Sequence, residues 1–392
     1  MVIDARRSNV HFASPPSVDL LTGEGLAGIE IELPADLDPH SDAAAALLDS
    51  VKVSLGVSDV SDAFHQMRIC KALSAYFCMP AVTAGELRMT GEYLDGILLE
   101  ADTLLCPAAG SLPMGFSWSL FFCQRSVVEA VEDSPAMAGV PLLSDRSGAL
   151  VLDASSEALG PAGRRTRGGY VYVDNLGVFG LIAGDVRQSI DAISGSLDAK
   201  GLLTHEHAIT DEATRTLGIC VDGTRLQTRP DSKRMWTLRR ALAWALGCRQ
   251  LAGWVWEVLI GHATFLGLVD RNSLSAFCSI YRFIRAHYNS PAPLWDTAAA
   301  EIRAYAQILP LLCSEWTAQW STEVFASDAS EEGYGVCHST WNRDVVAAVG
   351  RVKERARFRR AAGRSARDAY FEAAGFKQGP DGQWVEDPVT ND

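Results

Sequence analysis

No stretch of this 392-residue chain is apolar for long enough to cross a bilayer, because the best one, "WVWEVLIGHATFLGLV", is interrupted by Glu257 and His262. The opening "MVIDARRSNVHF" lacks the charged-then-apolar order of a secretory signal. Both absences predict a protein without a membrane partner, located in the cytoplasm or nucleus. Paired cysteines are missing as well: nine stand singly, with no CxxC. That spacing predicts buried thiols in a reducing compartment rather than a disulfide framework. Basic charge is scarce, with 35 Lys and Arg against 48 Asp and Glu and a net charge of −13. The surface as a whole therefore does not attract polyanions, and any nucleic-acid contact must be local. What the chain does have is a 48% hydrophobic composition over a length sufficient for two or three domains with sizeable cores.

Residues 1–48 mix a short strand-like piece with the Pro, Ser and Asp-rich "ASPPSVDLLTG" and "LPADLDPHSD", and read as an irregular lead-in that ends in the regular "DAAAALLDS". "VKVSLGVSD" has strand alternation, and "VSDAFHQMR" follows as a turn or short helix. "GFSWSLFFCQRSVVEAVEDS" has helical spacing, with Ser117 near its start. The small-residue stretch at 145–169 is weakly periodic and predicts an insertion or loop. "YVYVDNLGVFG" predicts two strands joined by a polar turn at Asp174-Asn175-Leu176-Gly177. "DVRQSIDAISGSLDAKG" predicts a helix stopped by Gly201, and "TRTLGICVDG" another strand. The order strand, helix, hairpin, helix, strand over 49–223 is that of an α+β domain. Residues 224–320 are helical and rich in Trp and Leu, which suggests a separate bundle. A strand-and-turn unit over 321–350 and a basic, then polar, tail over 351–392 complete the chain.

Two acids break otherwise apolar strand-like runs, Asp59 at the end of one and Asp174 at the tip of the hairpin. Burying them is costly unless cations pair with them. Two divalent metals about 3.5–4 Å apart, bridged by carboxylates, resolve that cost and are the apparatus of nucleotidyl transfer. Mg²⁺, or Mn²⁺ in its place, suits such a site because it takes few protein carboxylates and completes its shell with water and phosphate oxygens. Taken singly, Asp174-Asn175 also reads as an ordinary β-turn pair.

Several motifs in a fixed order resemble the reverse transcriptases of retroelements, DIRS-like or related. "SDVSDAFHQMRI" resembles the first palm motif, "SLPMGFSWSLFFCQ" the Pro-x-Gly loop and helix, and "YVYVDNLGV" the Tyr-x-Asp-Asp hairpin. "KGLLTHEHAI" and "TLGICVDG" resemble the segments that complete the palm, and helices such as "VLIGHATFLGLVDRNSLSAFCSIYRFI" resemble thumb or connection segments. The resemblance implies a polymerase palm followed by a helical thumb or connection region. It implies an RNA- or DNA-templated DNA polymerase whose partners are a template-primer and deoxynucleoside triphosphates. Asp59 and Asp174 match the metal-binding aspartates. Phe64 matches the aromatic group under the incoming sugar, Tyr172 the residue that opens the hairpin motif, and Pro113, Met114 and Gly115 the loop that holds template base and nucleotide. Asp4, Arg6 and Asn9 resemble the end of the fingers.

Three departures accompany the resemblance. Asn175 stands where the second hairpin aspartate is expected, which predicts weakened catalysis. The fingers strands that precede "VIDARRSN" in the family are not in the sequence, which predicts an N-terminally truncated chain. No lysine stands near "LLTHEHAI", leaving His205 and His207 as candidate acids. "EVFASDASEEGYGVC" resembles the first strand of an RNase H-like domain, with Asp328 at a ligand position but no recognisable further acids. Arg351 to Arg367 is a basic run that suits phosphates or a solvated helix or tail equally. Two further functions stand beside the polymerase: a catalytically inactive remnant or nucleic-acid-binding scaffold, and a metal-dependent hydrolase, which needs only the acids and leaves "LPMGFSWS" without a purpose.

Overall fold

Ser54–Val60 (β1) is buried on both faces at Ser54, Leu55 and Gly56, half-buried only at Val57 and Asp59, and is the second strand of a five-stranded sheet. The other strands are Leu142–Leu143 (β2), Arg167–Tyr172 (β3), Asn175–Gly180 (β4) and Thr204–Thr210 (β5), in the order β5-β1-β4-β3-β2. All neighbours are antiparallel except β2 and β3. This computed structural model describes residues 4–34, 37–38, 41–154, 166–329, 333–352, 376–378 and 384–386.

Two helices, Ser119–Glu132 (α1) and Ala183–Ala199 (α2), pack on one face of the sheet. The stripe Cys123, Val127, Ala130, Val131 of α1 and the stripe Val186, Ile190, Ile193, Leu197 of α2 share a core with Val60, Val171, Leu176 and Val178. Close approach of α2 requires Gly56, where a Cβ would lie 2.7 Å from Ile190 Cγ1 and 2.8 Å from Val186 Cγ1. Asp59 has the parity of Leu55 and Val57, so it belongs to the opposite face. Gly201, at φ +79°, ends α2 as the sequence predicts.

That opposite face, through Leu55, Tyr170 and Phe179, continues into the larger core. Here lie the helices Ser232–Gly247 (α3), Gly253–Gly267 (α4), Ser279–Ala286 (α5) and Asp296–Ile308 (α6). Leu238, Leu242, Trp256, Ile260, Phe283 and Tyr305 pack in one cluster with Leu26, Ile29 and Leu152. The helical segment therefore forms no bundle of its own, as apolar residues of the lead-in and of the sheet fill its inner side. "TRTLGICVDG" holds two strands rather than one, Thr214–Thr216 (β6) and Ile219–Asp222 (β7), joined through Leu217 and Gly218, both at positive φ. Gln227–Pro230 (β8) and Ser314–Glu315 (β9) complete the sheet β6-β7-β8-β9.

The expected irregular lead-in contains an ordered strand, Ile29–Glu32, whose isoleucines enter the core and which pairs in parallel with Leu150–Asp153. The expected insertion at 145–169 is thus structured at both ends, with β3 starting at Arg167, while 155–165 lie outside the described residues. Contacts divide the chain into two compact units, Met1–Asp145 with Leu150–Gln319, and Arg146–Ala149 with Trp320–Asp392. In the second, Glu323–Ala329 (β10) pairs with Tyr334–Thr340 (β11), and the Asn342 side chain caps a helix at Arg343–Gly350 (α7). Of the basic run, 353–367 lie outside the described residues. Among the described residues, no helix is long and apolar enough to cross a membrane.

Candidate active site

Strand register brings the acids together. In the antiparallel pairing, Asn175 faces Asp59 on one side and Tyr172 on the other, so the tip of the β3-β4 hairpin lies beside the end of β1. The Asp174 carbonyl accepts a hydrogen bond from the Val60 amide at 2.9 Å. On the other flank of β1, His205 faces Asp59. Asp59, Phe64, Met114, Asp174 and His205 line a single cleft of about 510 Å³ with Ser61, Asp62 and His65. Gly115, Tyr172 and Asn175 do not line it.

The turn differs from the sequence expectation. Strand β3 runs through Tyr172 and β4 starts at Asn175, leaving Val173-Asp174 as the two-residue connection. Val173 takes φ +60°, a left-handed conformation that a β-branched side chain adopts only when its surroundings enforce it. The enforcement comes from α1. Gln124 accepts from the Val173 amide at 2.6 Å and donates to the Val171 carbonyl at 3.0 Å, while Cys123 Sγ lies 3.8 Å from the Val173 carbonyl. Sequence reasoning missed both residues; the available signal was an amide inside the apolar run "SLFFCQRSVV".

Asp59 is partly buried, with Oδ2 3.6 Å from His205 Nε2, and the other imidazole nitrogen lies 2.9 Å from Ser61 Oγ. Asp174 Oδ1 accepts from Asn175 Nδ2 at 3.0 Å. Burial foremost, and the Asp174 charge next, push the Cys123 thiol up to about 12. His207 does not line the cleft; it lies within hydrogen-bond reach of Thr204 and Ser194. Phe64 is half-buried on the one-turn helix Ala63–Gln66, against the α1-α2 core.

The loop before α1 is fixed from the N-terminal segment. Asn9 donates to the Gly115 carbonyl at 3.0 Å and accepts from the Ser117 amide at 3.0 Å. Gly115 has φ +119°, which glycine tolerates, and the Pro113 carbonyl accepts from Ser119 Oγ at 2.9 Å. Asp4 and Arg6 pair with each other on the surface at 2.6 Å. Asp328 is exposed on β10 in the second unit.

Three carboxylates line this polar cleft, Asp59, Asp62 and Asp174, and the pair Asp59 and Asp174 suits a hard divalent cation that takes one or two protein oxygens and obtains the rest from water and phosphate. Among the described residues, no group of three or more His, Cys, Asp or Glu could hold a metal unaided. A cation held at this cleft would therefore draw most of its ligands from water or from a bound phosphate.

No protein-family model matches this chain, and no curated protein matches it. Solved structures do. The foamy viral protease-reverse transcriptase dRH in complex with double-stranded DNA superposes with a TM-score of 0.51 at 12% identity, over 87% of this chain and 46% of that one. The foamy viral protease-reverse transcriptase in complex with an RNA/DNA hybrid gives a TM-score of 0.42 at 14% identity, over 79% and 36%. The fold of this chain is reverse-transcriptase-like, by the first of these, and the chain spans about half the length of that protein.

Proposed function

We propose that the chain carries a template-directed DNA polymerase centre of the reverse-transcriptase type, weakened by Asn175. The observation that carries this reading is the convergence of Asp59, Asp174, Phe64 and Met114 on one cleft of a reverse-transcriptase-like fold, from three separate stretches of sequence. Asp59 and Asp174 would hold Mg²⁺ or Mn²⁺. A cation bound there supplies positive charge to the triphosphate and to the attacking 3′ oxygen. Phe64 forms the wall against which a deoxyribose rests and whose bulk excludes a 2′-hydroxyl. Met114 offers a side chain to the nucleotide, and Gly115, just outside the cleft, the φ +119° bend that sets Met114 there. Tyr172 braces the hairpin from the core side. On this reading 49–223 is the palm, 224–320 the thumb or connection, and 321–350 an RNase H-like segment.

Local charge supports a nucleic-acid partner. Residues 224–320 hold eleven Lys and Arg against six Asp and Glu, opposite in sign to the chain as a whole. Helix α3 has four cations and no acid, with Trp236 and Trp244 exposed and the Arg239 guanidinium 5.0 Å from the Trp236 ring. Interleaved cations and exposed aromatics suit phosphates and bases.

A second reading, a nucleic-acid-binding scaffold without catalysis, is favoured by the engagement of both acids: Asn175 ties Asp174, and His205 stands at Asp59. Primer extension on an annealed template with Mn²⁺ separates the two. The polymerase reading expects slow extension by the native chain, loss in Asp59→Ala, and a gain of about tenfold or more in Asn175→Asp, within the range typical of electrostatic groups at active sites. Template-primer binding with no extension by either the native chain or Asn175→Asp would establish the scaffold instead.

A further inference from the structure

We infer that Gln124 is a positioning residue for the polymerase centre, holding Asp174 in the cleft by clamping the strained turn before it. This rests on the reading of Asp174 as a cation-binding carboxylate, but the clamp itself is visible without any cation. Gln124 is buried, with 6% of its surface exposed, among apolar neighbours of α1. A buried amide is costly unless its donors and acceptors are used. Here Oε1 takes the Val173 amide and Nε2 gives to the Val171 carbonyl, so one side chain fixes the backbone on both sides of Tyr172.

The need for a clamp lies in the turn. A two-residue hairpin connection with φ above zero at its first position normally has glycine there, because a Cβ is disfavoured. This chain has Val173 at φ +60°, its side chain 7% exposed in the α1-α2 core. Released from Gln124, the valine would gain by leaving the left-handed region. Asp174, the next residue, would then move from its place beside β1. The valine side chain resists that movement through its packing, and the amide resists it through its hydrogen bonds. Only the amide acts on the backbone dihedral itself.

Glycine at 173 should remove the need for the clamp, since glycine adopts φ +60° without strain. The two sites should therefore be coupled. The test is a double-mutant cycle on the full chain with Gln124→Met, which keeps length and apolarity but loses the amide, and Val173→Gly. Hydrogen exchange of residues 174–177 in metal-free protein is one readout, and Mn²⁺ affinity by calorimetry the other. Gln124→Met should speed exchange across 174–177 and weaken Mn²⁺ binding, each by about tenfold, the scale of a lost buried hydrogen bond. In the Val173→Gly background the same substitution should have less than about a third of that effect on a logarithmic scale, as expected of coupled neighbours. Unchanged exchange in Gln124→Met, or equal effects in both backgrounds, would overturn the proposal. If Mn²⁺ binding is indifferent to Asp174→Ala, the cation reading fails, and the exchange cycle still decides the clamp. Should Gln124→Met not fold, Gln124→Asn, too short to span both partners, replaces it under the same criteria.

Discussion

Cys123 stands one residue before Gln124 and directly behind the Val173-Asp174 turn, and its chemistry follows from that place. Its thiol is fully buried, and burial together with the Asp174 charge pushes its pKa up to about 12, so it is neutral at any ordinary pH. Cys70, Cys78, Cys106, Cys278, Cys313 and Cys337 are exposed. A thiol reagent at pH 8 should label those six in the folded protein and leave Cys123 unmodified until urea is added, as peptide mass mapping would read. Labelling of Cys123 as fast as the exposed thiols would contradict the packing of α1 against the hairpin. Asp59 and Asp174 were legible in the sequence because each is an acid inside an apolar run. Gln124 and the Val173 turn were not. Asp-Asn-Leu-Gly has ordinary turn chemistry, whereas Val173 is forced into the turn by a helix some fifty residues earlier in the chain.

At the scale of elements, the main strands and helices around the site follow from periodicity, and their partners do not. A Trp- and Leu-rich helical pattern reads the same whether its inner face meets other helices or a sheet, so only the structure reveals that α3 to α6 close over Ile29, Leu152 and Phe179. The start of α5 depends on such a distant partner. Glu301, on α6, accepts hydrogen bonds from the amides of Cys278, Ser279 and Ile280 at 3.2, 2.7 and 3.0 Å. Its partial burial works to raise its pKa, but the three amide donors outweigh this and hold it below the ordinary Glu value of 4.5. A depressed carboxylate contributes stability that is present above the unfolded pKa and lost as pH falls through the folded one. Glu301→Gln should therefore cost about 1 kcal/mol near pH 7, the usual value of a helix cap. That cost should shrink below pH 4.5, in urea melts at several pH values. A cost independent of pH would show that the carboxylate charge is not what caps α5.

At the scale of the molecule, an acidic chain carries a local excess of Lys and Arg over 224–320 and sets Asp59 and Asp174 on one cleft at the end of the sheet, a division that would suit the polyanion and the cation of the proposed function. The order of motifs made the reverse-transcriptase-like fold legible despite 12% identity to the foamy viral structure. The sharing of one core between sheet and helices is a tertiary property that no motif encodes. The central claim is that Asp59 and Asp174, more than a hundred residues apart, act as one cation site, and Mn²⁺ binding by calorimetry on the full chain tests it most directly. Asp59→Ala and Asp174→Ala should each abolish binding, and Asn175→Asp should tighten it by about tenfold, the equivalent of about 1.4 kcal/mol. Equal affinity in the native protein and all three variants would contradict the account.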